Sequence, residues 1–353
     1  MKKNLIVLYG GKSVEHEISI RSAKNVVENI NKQRFDLTLI GITKKGDWFL
    51  TSNITSNIIE GIPLNITLCQ SNPIIQGQHI TIKPDIIFPV LHGTDGEDGS
   101  VQGFFKVLGI PVVGSNVLGS AVSMDKIVSK MLWHQAGIPV APFQSFKRSE
   151  LIATSYQSLA SRFGDTFMLK AGNLGSSVGV TKVKDESSYE AAVNDSLKYS
   201  NEVLVEGFIT GRELECAILG NEQLESTLPG EIILKKDYDF YSYTAKYEDR
   251  DAISINIPAA VPDEINQKIR TACERAFRIA HCCDYGRVDL FLTEDNQVII
   301  NEINTIPGFT DVSMFPMLWK NMGLDYPELI DKIIALCLDR WEKENELSTS
   351  FKD

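Results

Sequence analysis

Two runs late in the chain, 287–292 and 298–304, carry residue types able to hold a phosphate-bound cation. Asp295 and Asn296 lie between them and both tolerate positive φ, so the spacing predicts a hairpin with a two-residue turn there. In that register Asp289 faces Glu302, and Arg287 faces Asn304. Side-chain alternation then places all four on one face of otherwise apolar strands. Two facing carboxylates repel unless a cation resolves the conflict. Oxygens from Asp, Glu and Asn suit Mg²⁺ shared with substrate phosphates better than zinc, which prefers His and Cys. The plainer alternative is that one carboxylate pairs with Arg287 while the other is solvated.

A second constellation is the glycine-rich stretch 170–179, which begins at Lys170 and lies between two strand-like runs. Glycines let backbone N–H groups approach phosphate oxygens, and Lys170 adds positive charge. The stretch matches neither Walker A nor G-x-G-x-x-G, and a glycine-rich hairpin alone is usually just a turn. Lys126, in a helical segment, reads by default as a solvated lysine. The loop Gly10-Gly11-Lys12-Ser13-Val14-Glu15 follows the first strand, where open α/β sheets bind ligands. There Glu15 either holds a substrate ammonium or serves as an anion in the first turn of a helix. His92 follows another strand in the same manner, and a structural hydrogen bond is its default role.

Positioning these groups requires alternating elements. Short apolar runs at 5–9, 35–42 and 85–91 read as buried strands, with helical spacing at Ala23, Val26, Val27 and Ile30 and again at Val101, Phe104, Phe105 and Leu108. Strand, helix, strand in repetition predicts a doubly wound parallel sheet. From about residue 118 the pattern becomes mixed α+β. A helix is expected over 122–135, strands at 167–170, 203–206, 213–219, 287–292 and 298–301, and helices near 265–280 and 326–342. The stretch 235–251 interleaves tyrosines with charges and has no clean period. A long irregular loop in a compact domain is usually functional or disordered.

Composition narrows the partners. The chain has 353 residues and a formal charge of -11, which disfavours polyphosphate backbones and so nucleic acid. Its six cysteines include no C-x-x-C pair, so neither a zinc site nor an oxidising compartment is indicated, and a cytoplasmic location is expected. The first apolar run is far too short for a signal core or a membrane span.

In sequence order the pieces resemble the D-alanine:D-alanine ligase family of the ATP-grasp superfamily. The matching stretches are 10–19 (GGKSVEHEIS), 91–99 (LHGTDGEDG), 124–126 (MDK), 175–179 (GSSVG), 245–247 (AKY), 286–289 (GRVD) and 301–309 (NEINTIPGF). That resemblance implies a three-domain ATP-grasp fold, α/β and α+β, with units at 1–121, 122–209 and 210–353 and a lid loop at 235–251. It implies ATP-dependent condensation of two D-alanines through an acyl phosphate. Asp289, Glu302 and Asn304 match the family's Mg²⁺ (or Mn²⁺) ligands. Lys126, Lys170 and Lys246 match its phosphate contacts, Glu206, Phe208 and Ile209 the adenine hinge, and Glu213 the ribose contact. Glu15 matches the carboxylate that holds the first substrate's ammonium, linked through Ser176 to Tyr247. Arg287 and the N–H of Gly308 match donors to the tetrahedral intermediate, each worth about 3 to 4 kcal/mol in comparable sites. Ser313 and Met314 fall where the family binds the second substrate's carboxylate, and His92 falls near that acceptor. The family often has proline where this chain has Ala171, so that turn is expected to be less rigid.

Family members that make D-alanyl-D-lactate carry a histidine in the lid loop. This chain has none there and keeps Lys246-Tyr247, which favours an amine acceptor; D-serine stays open as an alternative to D-alanine. A dinucleotide-dependent dehydrogenase would need G-x-G-x-x-G after the first strand, which is absent. A non-catalytic ATP sensor would bind nucleotide without D-alanine-dependent phosphate release. A homodimer is expected by family analogy.

Overall fold

The computed structural model describes residues 2–67, 74–77, 79–175, 178–235 and 253–348. The first sheet runs in the order Ile62–Pro63, Trp48–Thr51, Phe35–Ile42, Lys3–Gly10, Ile86–Val90. Lys3–Gly10 is parallel to both neighbours, so the expected βαβ winding forms at the centre. The outer two strands are antiparallel instead, making the sheet mixed. The cause is local: Thr43 and Asp47 close a tight reversal (N···O 2.9 Å) around Gly46 at φ 94°, leaving no chain for a crossover helix. The central strand is apolar on both faces because both are covered. Leu5, Val7 and Tyr9 pack with Ala23 and Val26 of the helix His16–Asn29 and with Ile330 and Ile334 of Tyr326–Asn345. Ile6 and Leu8 pack with Val101 and Phe105 of Ser100–Val107 on the other side.

The expected single helix over 122–135 is two, Val117–Met124 and Lys126–Gln135. Asp125 adopts an extended ψ and its Oδ1 accepts from the N–H groups of Ile127 and Val128. That cap restarts the helix at Lys126. A second sheet, wholly antiparallel, orders Val180–Val183, Phe167–Ala171, Glu202–Gly207, Phe143–Lys147. A third orders Ile253–Asn256, Gly230–Leu234, Arg212–Gly220, Tyr285–Leu292, Val298–Asn304, with Leu224–Ser226 joined to Arg212–Gly220. One face of this third sheet is a core: Leu214, Cys216, Val288 and Leu290 pack on Cys273 and Phe277 of the helix Asp263–Ile279. The opposite face carries Glu213, Glu215, Asp289 and Glu302, and these line a cavity of about 260 Å³ shared with Lys170 and Met168 of the second sheet.

The hairpin that orients this face differs from the two-residue turn read from sequence. Thr293 and Gln297 bond across the turn and Asn296 takes φ 60°, so the loop is one residue longer and Leu292 pairs with Val298. A bulge then shifts the register between Leu290 and Asp289. The extra residue is Asn301, and beyond it Asp289 faces Glu302 and Arg287 faces Asn304. The two departures cancel where the chemistry sits.

Candidate active site

Three carboxylates lie in a row across adjacent strands, since Asp289 is opposite both Glu215 and Glu302. Their mutual repulsion is met by cations. Arg287 forks onto Asp289 through Nε and Nη2, both 2.7 Å, and its Nε also lies 2.9 Å from Glu215. Lys126 lies 3.0 Å from Glu302 and donates to the Leu174 carbonyl at 2.8 Å. Lys126 is therefore buried, not a solvated helix lysine, and Glu302 is paired rather than simply solvated. Asn304 donates its amide N–H to Asp289 (3.0 Å). Among the described residues no cluster of three or more His, Cys, Asp or Glu could hold a metal. The set on this face is different in kind: two carboxylates and an amide, all oxygen donors, the chemistry a hard divalent cation with substrate phosphates requires.

Deeper in the cavity, Lys170 forms an ion pair with Glu206 and donates to Asn301 Oδ1 at 3.3 Å. Lys130 reaches the other Glu206 oxygen at 3.0 Å. Burial alone would push the Glu206 carboxyl up, but the two lysines outweigh it and hold it at about 2. Burial pulls the Lys130 ammonium below its usual value, against the opposing charge of Glu206. Phe208, Ile209 and Glu213 line the same cavity, and the Lys182 ammonium stands 3.7 Å from the centre of the Phe208 ring.

At the other end the first and third sheets meet. Glu15 is buried at the N-terminus of its helix, where its side chain makes no capping hydrogen bond. Its Oε2 stands close to two glycines: a Cβ built on Gly93 would lie 3.0 Å from it, and one on Gly175 of the glycine-rich loop 3.7 Å. His92 is buried with both ring nitrogens engaged, Nδ1 to the Ile306 carbonyl (2.8 Å) and Nε2 to Ser22 Oγ (3.0 Å). Burial lowers its pKa, against the pull of Glu15. Glu97 accepts from the N–H groups of Gly93 (2.8 Å) and Ile306 (3.0 Å). The Ile306 peptide is thus gripped on both sides by the N-terminal unit, two residues before Gly308. Ser313 Oγ bonds Thr310 N (3.0 Å) and Oγ1 (2.7 Å), and lies 2.7 Å from where a Gly308 Cβ would stand. Met314 is buried against Gly230 in the apolar core. Ser176, Lys246 and Tyr247, with nearly all of the loop 235–251, lie outside the described residues.

Burial first, then the charge of Glu15, push the Glu97 carboxyl up to about 8 from an ordinary 4.5. The folded protein then holds a proton that the unfolded chain releases, so stability falls as pH rises through that window. Glu97→Gln keeps one acceptor oxygen and cannot titrate. It is expected to flatten the decline in melting temperature between about pH 5 and 8 by a few degrees, read by calorimetry; an unchanged slope would contradict the assignment.

Glu97, Lys130, Glu215 and Asn301 are the groups that sequence reasoning missed. Lys130 follows Lys126 by four residues and shares its helix face, and Glu215 shares a strand face with Glu213, so both carried a readable signal. Asn301 faces inward only because of the bulge, which has no clear sequence mark.

Residues 132–335 match the family model described as D-ala D-ala ligase C-terminus, and 4–115 match D-ala D-ala ligase N-terminus. A D-alanine–D-alanine ligase of Shouchella clausii is 44% identical, covering 100% of this chain and 99% of the relative. D-alanine–D-alanine ligase A of Escherichia coli is 43% identical over 98% of each. Among solved structures, the D-alanine–D-alanine ligase of Coxiella burnetii superposes with a TM-score of 0.86 at 35% identity, covering 98% of each chain. The VanG D-Ala:D-Ser ligase of Enterococcus faecalis gives 0.85 at 35% identity, covering 96% of this chain and 100% of its own. Both halves of the chain match the paired ligase models, and full-length relatives agree with them: the chain belongs to the D-alanine–D-alanine ligase family.

Proposed function

We propose that the chain joins two D-alanines to D-alanyl-D-alanine at the expense of ATP, for peptidoglycan precursor synthesis, with the three units taken as 1–121, 122–209 and 210–353. The observation that carries the reading is one of convergence. Glu15, suited to a substrate ammonium, lies beside Gly175 of the loop that follows Lys170, and Lys170 lines the cavity, so one loop connects the amino-acid and phosphate chemistry.

A carboxylate and an amine do not condense in water without activation, so the γ-phosphoryl passes first to the carboxylate of the donor D-alanine. Lys126 and Lys170 spread the phosphate charge, while Glu206, Phe208, Ile209 and Glu213 frame the base and ribose. Asp289, Glu302 and Asn304 would hold Mg²⁺, or Mn²⁺ in its place. Such an ion would supply positive charge to offset that of the phosphates. Glu15 anchors the donor ammonium; Arg287 and the Gly308 N–H face the tetrahedral centre formed when the acceptor amine attacks the acyl phosphate. That centre collapses to the amide as the amine loses a proton and the acyl C–O bond breaks to release phosphate. Ser313 and, through its main chain alone since its side chain is in the core, Met314 position the acceptor carboxylate. His92, with both nitrogens already bonded to protein, contributes by fixing Ile306 and the loop that leads to Gly308. A homodimer in the cytoplasm fits the same reading, and no helix among the described residues is long and apolar enough to cross a membrane.

The test is phosphate release from ATP with D-alanine, D-serine and D-lactate supplied alone and in competition. Release that requires D-alanine, with D-alanyl-D-alanine the main product, is expected. ATP binding without D-alanine-dependent release would leave a sensor. The likeness to a D-Ala:D-Ser ligase makes D-serine the second acceptor to measure, and predominant D-serine or D-lactate incorporation would overturn the acceptor assignment.

A further inference from the structure

The ion pairs of the cavity wall do not balance. Glu302 answers Lys126, but Glu206 answers two lysines, Lys130 at 3.0 Å and Lys170. Lys130 is 1% exposed, sits on Lys126–Gln135 behind the cavity and is absent from its lining, so it does not itself meet a ligand there. Its effect must pass through Glu206. With Lys130 in place the trio carries one net positive charge, and that charge falls on Lys170, the lysine that lines the cavity, which also donates to the neutral amide of Asn301. Without Lys130, Lys170 and Glu206 close into a neutral pair. Lys170 would then be spent on its neighbour, and Glu206, on the strand Glu202–Gly207 that leads directly to Phe208 and Ile209, would lose one of its two anchors. Low local dielectric makes this balance matter more than it would at a surface.

We propose that Lys130 is a positioning residue for nucleotide binding: it shares the Glu206 carboxylate and so leaves the charge of Lys170 for the nucleotide's phosphates. The inference rests on the reading of the cavity as an ATP site. A purely structural lysine, one that only neutralises a buried carboxylate, would affect folding and leave nucleotide affinity alone.

The experiment measures ATP affinity by titration calorimetry and KM for ATP and for D-alanine in four full-length variants: Lys130→Met, Lys130→Arg, Glu206→Gln and the double variant Lys130→Met/Glu206→Gln. Lys130→Met is expected to weaken ATP binding and raise its KM about tenfold or more with little change in KM for D-alanine, and Lys130→Arg to stay within about threefold of wild type. In the Glu206→Gln background, where no carboxylate competes for Lys170, adding Lys130→Met is expected to change ATP affinity by less than about twofold. Equal losses in both backgrounds, or a Lys130→Met protein that melts lower yet binds ATP normally, would overturn the proposal. Should Lys130→Met fail to fold, Lys130→Gln, which can hydrogen-bond the Glu206 carboxylate but carries no charge, takes its place in both backgrounds with the same expected outcomes. Failure of the wild-type chain to bind ATP would overturn the functional reading itself; ATP binding indifferent to Lys130 overturns this inference alone.

Discussion

Glu302→Gln is expected to lower D-alanine-dependent phosphate release by about 10²- to 10³-fold and to move the cation requirement to higher Mg²⁺ or Mn²⁺ concentrations. Two losses combine. The substitution removes one of the two carboxylates facing each other on the polar sheet face. It also strips Lys126 of its ion-pair partner, leaving that ammonium the Leu174 carbonyl as its hydrogen-bond acceptor. The two losses separate in the variant Lys126→Met/Glu302→Gln. If Glu302 serves only to neutralise Lys126, the double change is no worse than Lys126→Met alone. If Glu302 supplies oxygen to a cation, the double variant stays inactive and its cation titration remains displaced. A cation dependence identical to wild type in Glu302→Gln would sink the ligand assignment, whatever happens to the rate.

Much of this face was legible from residue types alone, and the hairpin shows both why and where such reading stops. Alternation of Asp289 with Val288 and Leu290 identifies an outward polar face without any knowledge of the fold. The pairing of Asp289 with Glu302 came from an assumed two-residue turn, whereas the chain makes a longer turn and then a bulge at Asn301. Turn length and bulges depend on fine backbone energies that short polar sequences leave nearly degenerate. Contacts between distant segments are harder still. Ile306 is held by Glu97 and His92, more than 200 residues away in sequence, and Gly114 bonds to Asp284, which is itself clamped by Arg340. No local pattern specifies such closures; they follow from the core that joins the first sheet to Tyr285, Phe309 and the C-terminal helix. Lys126 illustrates the cost of a local default. Its place within the expected helix 122–135 suggested solvent, but the Asp125 cap restarts the helix there and aims the lysine at Glu302.

Arg287 offers the sharpest separation of stability from chemistry. Its guanidinium serves Asp289 with two 2.7 Å bonds and reaches Glu215 at 2.9 Å, all largely buried. Arg287→Ala removes the cation from between two carboxylates, and breaking a buried pair from one side costs about 3–5 kcal/mol. The same change deletes the proposed donor to the tetrahedral intermediate, for about a further 10²- to 10³-fold in turnover. Because the alanine variant confounds the two, Arg287→Lys is the informative partner. Lysine keeps a charge near Asp289 and Glu215 but cannot reproduce a planar fork that bonds two oxygens of one carboxylate while presenting further N–H groups. The lysine variant is therefore expected to recover most of the melting temperature lost in Arg287→Ala while remaining about 10²-fold or more below wild type in kcat, with KM for ATP little changed. If turnover returned together with stability, the positive charge alone would suffice and the directed guanidinium would have no separate part in the reaction. If neither returned, Arg287 would be holding the sheet rather than facing the substrate.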